Sequence, residues 1–152
     1  MKQLIIIALF LITISAQSQI YYGASLGTVL SQGYDGVKKQ ERFGITDIYF
    51  GAPVGYNIPV NSFGVLVEVE PAIDLSMTIT LSAMAGAKID FSEHSGMHLL
   101  AGYGFNNLEG LSFKKSLYPA IKTRVWFNRV FIQGDHINST YHVGVGIIGF
   151  GL

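Results

Sequence analysis

Asp135-His136-Ile137-Asn138-Ser139-Thr140 is the one stretch of this chain that gathers an acid, a base and hydroxyl nucleophiles within six residues. Those types are what acyl transfer needs: a hydroxyl to attack, an imidazole to take its proton and a carboxylate to orient the ring. The spacing works against them. In an extended chain, residues two apart share a face, so His136 is aligned with Asn138 while Ser139 points the other way unless the strand has ended. A loop or strand end in which Asn138 and Ser139 favour a turn is the alternative.

Other chemistry is thinner. His94, His98, His136 and His142 have no tight ligand spacing, and with no cysteine in the chain neither a zinc site nor a cofactor is indicated. Cysteine's absence also excludes disulfides and N-terminal lipidation. Gly102-Tyr103-Gly104 and Gly144-Val145-Gly146 open no helix, so they cradle no phosphate. Lys38-Lys39 with Arg42, and Lys114-Lys115, are solvated loop charges or contacts for lipopolysaccharide phosphates. Tyr34, Phe43 and Phe113 in the same loops form a partner surface or a cover for the rim.

The elements that must carry these residues announce themselves by period. Met77 to Phe91 alternates apolar with polar or small residues for almost its whole length, which is the period of a strand and not of a helix. Eight such strands are expected: Ile20 to Leu30, Thr46 to Tyr56, Phe63 to Ile73, Met77 to Phe91, Met97 to Phe105, Tyr118 to Phe127, Val130 to Gly134 and Thr140 to Leu152. In the last, Tyr141, Val143 and Val145 lie on one parity and Ile148, Phe150 and Leu152 on the other, so a bulge is expected near Ile147-Ile148. Connections at 57–62, 92–96 and 128–129 are short, whereas 31–45 and 106–117 are long.

Charged residues make up 13% of the chain against roughly 25% in soluble domains. No segment after the first turn of the sequence offers the ~18 consecutive apolar residues of a membrane helix. Strands can cross lipid only in a closed barrel, since an open edge leaves backbone groups unpaired in hydrocarbon. The expected fold is therefore all-β, an eight-stranded antiparallel up-and-down transmembrane β-barrel, with short turns on the periplasmic side and longer loops outside. Tyr22, Tyr56, Phe63, Phe91, Phe127 and Phe150 fall beside the short turns or the termini and would form an aromatic girdle. A soluble barrel with its apolar parity inward is the competing phase, but the other parity carries Gly, Ser and Thr with few charges, unlike a solvated surface.

That other parity holds Glu68 and Glu70, Lys88 and Asp90, Lys122 and Arg124, and further along Gln133 and Asp135. An eight-stranded barrel has room inside only for side chains, so these groups are expected to pair across the lumen and plug it, with Arg124 bidentate to Glu68 or Glu70. His98 is expected to join that network. A narrow proton or ion path is the alternative use of the same residues.

Met1-Lys2-Gln3, the apolar run Leu4 to Ile14 and the small residues of Ala16-Gln17-Ser18 read as a secretory signal peptide over residues 1–18, cleaved before Gln19, with residues 19–152 as one barrel domain. Without Lys2, nine Lys and Arg face ten Asp and Glu, so no basic excess points to nucleic acid.

Two resemblances follow from these residues. Ala16-Gln17-Ser18-Gln19, the opening Tyr22-Gly23-Ala24-Ser25-Leu26-Gly27 and the closing Val143-Gly144-Val145-Gly146-Ile147-Ile148-Gly149-Phe150-Gly151-Leu152 resemble the small outer-membrane β-barrel proteins of Bacteroidota, similar in architecture to OmpX. That resemblance implies an outer-membrane location, insertion by the barrel-assembly machinery, contact with outer-membrane lipid and lipopolysaccharide, and a non-enzymatic structural or surface-interaction role with a surface partner left open. The segment around His136 and Ser139 resembles the His-x-Ser-Asn element of outer-membrane lipid A deacylases, departing from it at Asn138 and in lacking a following Glu. It implies the alternative of a lipid A-modifying hydrolase.

Overall fold

The computed structural model describes residues 19–35, 40–60, 62–107, 117–137 and 140–150. They form nine strand segments: β1 (Gln19–Asp35), β2 (Gln40–Gly51), β3 (Val54–Val60), β4 (Phe63–Asp74), β5 (Ile79–Ser92), β6 (Ser95–Asn107), β7 (Leu117–Phe127), β8 (Val130–Ile137) and β9 (Thr140–Phe150). β2 and β3 are one stave. Both pair with β1 and with β4 in a single unbroken count, from Ser25 opposite Gly51 to Tyr22 opposite Val54 on one side, and from Gly51 opposite Ala72 to Val54 opposite Val69 on the other. Pro53, which has no N–H for the ladder, nicks the stave. Its carbonyl still accepts from Gly23 N–H at 2.8 Å, and Ala52 N–H donates to Pro71 O at 2.9 Å.

Every neighbouring pair is antiparallel, and β9 returns to β1 from Ser31 opposite Thr140 to Tyr21 opposite Phe150. The eight staves thus close into a transmembrane β-barrel in which every stave has a ladder partner on both sides. Among the described residues no helix is long and apolar enough to cross a membrane.

The two faces are inverted relative to a soluble protein. Outward go Val65, Val67, Val69, Leu99, Ile121, Val125, Ile132, Val143, Val145 and Ile147, all exposed, whereas the inward parity contains Glu68, Glu70, Ser82, His98, Lys122, Arg124 and Gln133, all buried. Large apolar side chains also enter the interior: Tyr21, Leu66, Met84, Leu100, Trp126, Phe131 and Ile148 form its packed part. Tyr21 fits because Gly55 lies under its ring; a Cβ on Gly55 would sit 2.2 Å from the phenol carbon.

Several strand ends differ from the sequence expectation. Segments 31–35 and 40–45 continue β1 and β2 instead of forming a loop, and β8 runs on through Asp135, His136 and Ile137. Asn57, Ile58 and Pro59 belong to β3, although their types suggest a turn. Pro59 is accommodated because the β1 ladder ends at Asn57, so no donor is required of it on that side. The bulge expected near Ile147-Ile148 is absent: β9 keeps one register with both neighbours throughout, and Ile148 simply points inward, buried. The register shifts fall elsewhere, at Val29/Leu30 opposite Thr46 and at Asp90/Ser92. At the first, the Thr46 hydroxyl donates to the Val29 carbonyl at 3.2 Å, supplying a donor where the ladder is disturbed.

Tyr22, Tyr56, Phe63, Phe91 and Phe127 are exposed and lie at the end of the barrel that carries the connections 61–62, 93–94 and 128–129. The side chain of Phe150, expected beside them, lies outside the described side chains. The tightest of these turns, Asn128-Arg129, puts Asn128 at φ 54°, a conformation that asparagine tolerates better than most residues. Its N–H donates to His94 O at 2.6 Å, tying two turns together.

Candidate functional site

Residues two apart on a strand share a face, so β4 sends Glu68 and Glu70 into the lumen and β7 sends Lys122 and Arg124. β4 and β7 are three staves apart, so the two pairs meet across the interior. The Arg124 guanidinium takes Glu68 in two bonds, Nη1 to Oε2 at 2.5 Å and Nη2 to Oε1 at 3.1 Å. Lys122 Nζ bridges the two carboxylates, at 2.9 Å from Glu68 Oε1 and in closer contact with Glu70. Two cations face two anions, each with a side chain no more than 4% exposed.

Neutral groups complete the network. Tyr21 donates to Glu68 Oε2 at 2.8 Å and Ser25 to Glu70 Oε1 at 3.1 Å. Gln133 accepts from Arg124 Nε and Nη2 at 3.1 and 2.9 Å, and its amide nitrogen donates to Tyr49 Oη and Glu70 Oε1, both at 3.2 Å. Arg124 also lies over the Phe131 ring at 4.6 Å. This satisfaction matters because an ion pair in a dry interior repays its desolvation only when the remaining lone pairs and protons are also bonded.

A second pair sits toward the loop end. Asp135 and His142 are direct cross-strand partners, with Oδ1 and Nδ1 at 2.5 Å, and the Tyr49 ring stands edge-on to the imidazole at 5.1 Å. The residual cavity among Tyr49, Glu70, Thr80, Asp135 and His142 is about 10 Å³, the space of one water. At the turn end the barrel opens into a basin of about 690 Å³ whose floor includes Lys88, Asp90 and Trp126. Lys88 pairs with Asp90 at 3.0 Å and lies over the Trp126 indole at 5.4 Å. These two charges, expected to pair across the lumen, pair along their own strand instead, since they are neighbours on one face close to the rim.

His98 lies inside, fully buried, with its ring 5.6 Å from that of Tyr21. Neither of its nitrogens has a hydrogen-bond partner among the described residues, so it adjoins the charge network without bonding to it; the Asn57 amide is in the same position. Among the described residues no three His, Cys, Asp or Glu converge as a metal site.

The acid and base of the 135–140 segment are separated by the strand itself. Asp135 faces inward to His142, whereas His136 faces outward and packs on Tyr141 at 4.5 Å. Asn138 and Ser139 lie outside the described residues. Sequence reasoning missed His142 as the partner of Asp135 because it ended the seventh strand at Gly134. Counting a hairpin outward from Ile137 opposite Thr140 places 135 against 142 and would have found the pair. It also missed Tyr21, whose parity is that of Gly23 and Ser25.

No protein-family model matches the sequence, and no curated protein matches it. Solved structures do match in shape. The chain is similar to a de novo designed transmembrane β-barrel, at 12% identity over 88% of this chain and 95% of that one with a TM-score of 0.59. It is also similar to the crystal structure of Ail, the attachment invasion locus protein of Yersinia pestis, at 18% identity over 87% and 97% with a TM-score of 0.53. At such identities the likeness is one of fold, and the fold is that of a transmembrane β-barrel.

Proposed function

We propose that this protein is a non-enzymatic integral barrel of a bacterial outer membrane whose lumen is plugged by its ion-pair network and whose outer loops serve envelope structure or surface interaction. The observation that carries the reading is the crossed quartet of Glu68, Glu70, Lys122 and Arg124, buried, charge-balanced and hydrogen-bonded from all sides. A conducting pore needs mobile water beside its charges. Here the charges are consumed by each other, and the cavity beyond them toward the loop end holds about one water.

Residues 1–18 serve as the export signal in this reading, the chain is inserted by the barrel-assembly machinery, and the short turns face the periplasm. Lipid and lipopolysaccharide surround the exposed Val, Ile and Leu face. The Bacteroidota resemblance is the source expected from its terminal segments.

The test is fractionation joined to conductance. The mature chain should sediment with outer membranes, migrate faster on gels unheated than boiled, and stay electrically silent in planar bilayers. Steady ion conductance by the folded wild type would defeat the plug, and recovery in the soluble periplasm would defeat the membrane assignment.

A further inference from the structure

Arg129 stands apart from every other basic side chain that the structure describes. Lys88, Lys122 and Arg124 lie within the barrel or its mouth, each paired with a carboxylate. Arg129 sits at the rim, in the two-residue turn between β7 and β8, where it borders both the turn-end basin and the outer wall, with no ion pair or guanidinium hydrogen bond among the described residues. The turn is held against the barrel seam: Ile148 N–H donates to the Arg129 carbonyl at 2.7 Å. The arginine's backbone is therefore placed beside β9.

Beside it the lipid-facing wall is indented. Along the β1–β9 seam Tyr22 pairs with Gly149 and Ala24 with Ile147. The Tyr22 ring packs over Gly149, and small Ala24 between the large Tyr22 and Ile147 leaves a notch of about 370 Å³ that Arg129 also lines. Tyr22 and Ile147 are 57% and 62% exposed, so the notch opens outward to lipid. Among the described residues no carboxylate lines it. A cation at the rim, an aromatic flank at girdle height and an apolar groove running from the cation into the hydrocarbon layer match a phosphate with an acyl chain attached.

We infer that Arg129 and the Tyr22–Ala24–Ile147–Gly149 notch form a binding site for one anionic phospholipid of the periplasmic leaflet. The phosphate meets the guanidinium and one acyl chain lies over Ala24, beside the Tyr22 ring that covers Gly149. An anionic headgroup is preferred to a choline or ethanolamine one because it carries no ammonium of its own to compete for the phosphate, and among the described residues the notch offers no acid to hold such an ammonium. The inference rests on the outer-membrane reading for the identity of the leaflet, and on the barrel alone for the site.

Native mass spectrometry of the folded mature barrel in a zwitterionic detergent, titrated with dioleoylphosphatidylglycerol or dioleoylphosphatidylcholine, tests it. Wild type should retain one phosphatidylglycerol in preference to phosphatidylcholine. Arg129→Gln should cut that retention about fivefold, the scale of one basic residue at a lipid surface. Arg129→Lys should keep most of it, and Ala24→Phe should lose it with the arginine in place by filling the groove. Both changes lie on the outside, and heat-modifiable migration reports whether each variant has folded. Equal retention of the two lipids by wild type, or undiminished retention by Arg129→Gln, overturns the site. Loss in Arg129→Gln with full retention in Ala24→Phe reduces it to diffuse attraction at the rim and overturns it too. A failure of the outer-membrane reading shows instead in fractionation, with this selectivity untouched.

Discussion

Glu68 accepts bonds from Tyr21, Lys122 and both outer nitrogens of Arg124, so it is the atom group on which most of the interior depends. Removing its charge while leaving its shape strands two buried cations with Glu70 alone. Glu68→Gln should therefore cost about 3–5 kcal/mol, the range for breaking a buried ion pair from one side. Urea unfolding in lipid vesicles, followed by the gel-shift of the folded form, measures it; an unmoved midpoint would show that the network contributes little. Changing Glu68 and Glu70 to Leu and Lys122 and Arg124 to Met, together with Tyr21→Phe, Ser25→Ala and Gln133→Leu so that their polar partners are not stranded, should recover much of that loss, because well-packed apolar side chains avoid the desolvation cost. Stability lower in that combined variant than in Glu68→Gln would assign the charges a favourable role beyond mutual neutralisation.

At the scale of the strand, depth in the membrane decides what a substitution costs. Val67 lies mid-way along β4 and points out, opposite Ala85, whereas Phe127 ends β7 at the turn rim. Val67→Lys should destabilise by about 2–4 kcal/mol and Phe127→Lys by no more than about 1, since a cation near the interface reaches headgroups and water. Comparable losses at the two positions, in the same vesicle assay, would contradict the placement of the hydrocarbon layer. Strands were also where the residue pattern served best. Alternation in Phe63 to Ile73 and in Met77 to Phe91 is legible because one face must be apolar and the other need not be. It was least informative where residue type and location conflict: Asn57 and Pro59 have turn chemistry yet stay in β3.

For the whole molecule the decisive property is which face meets lipid. Nitroxide labels at Val67 and Leu81 should be relaxed by oxygen dissolved in the acyl chains, and a label at Ser82 should not, because Val67 and Leu81 are exposed and Ser82 is buried inside. The reverse pattern would turn the barrel inside out and leave a soluble carrier. Closure matters equally. β1 meets β9 over eleven consecutive pairs, so the seam between first and last stave presents no unpaired backbone to lipid over that span.

The residue pattern by itself determined the class of fold, the number of staves, the parity of each face and the inward placement of Glu68, Glu70, Lys122 and Arg124. These follow from a period of two read against a solvent that is hydrocarbon outside. The pairings belonged to the tertiary structure. Cross-lumen distance set Arg124 on Glu68, hairpin register set Asp135 on His142 and left His136 outside, and rim position turned Lys88 to its own neighbour Asp90. Alternation tells which side of a wall a residue occupies. Only the closed ring, with its registers and its diameter, tells what stands opposite.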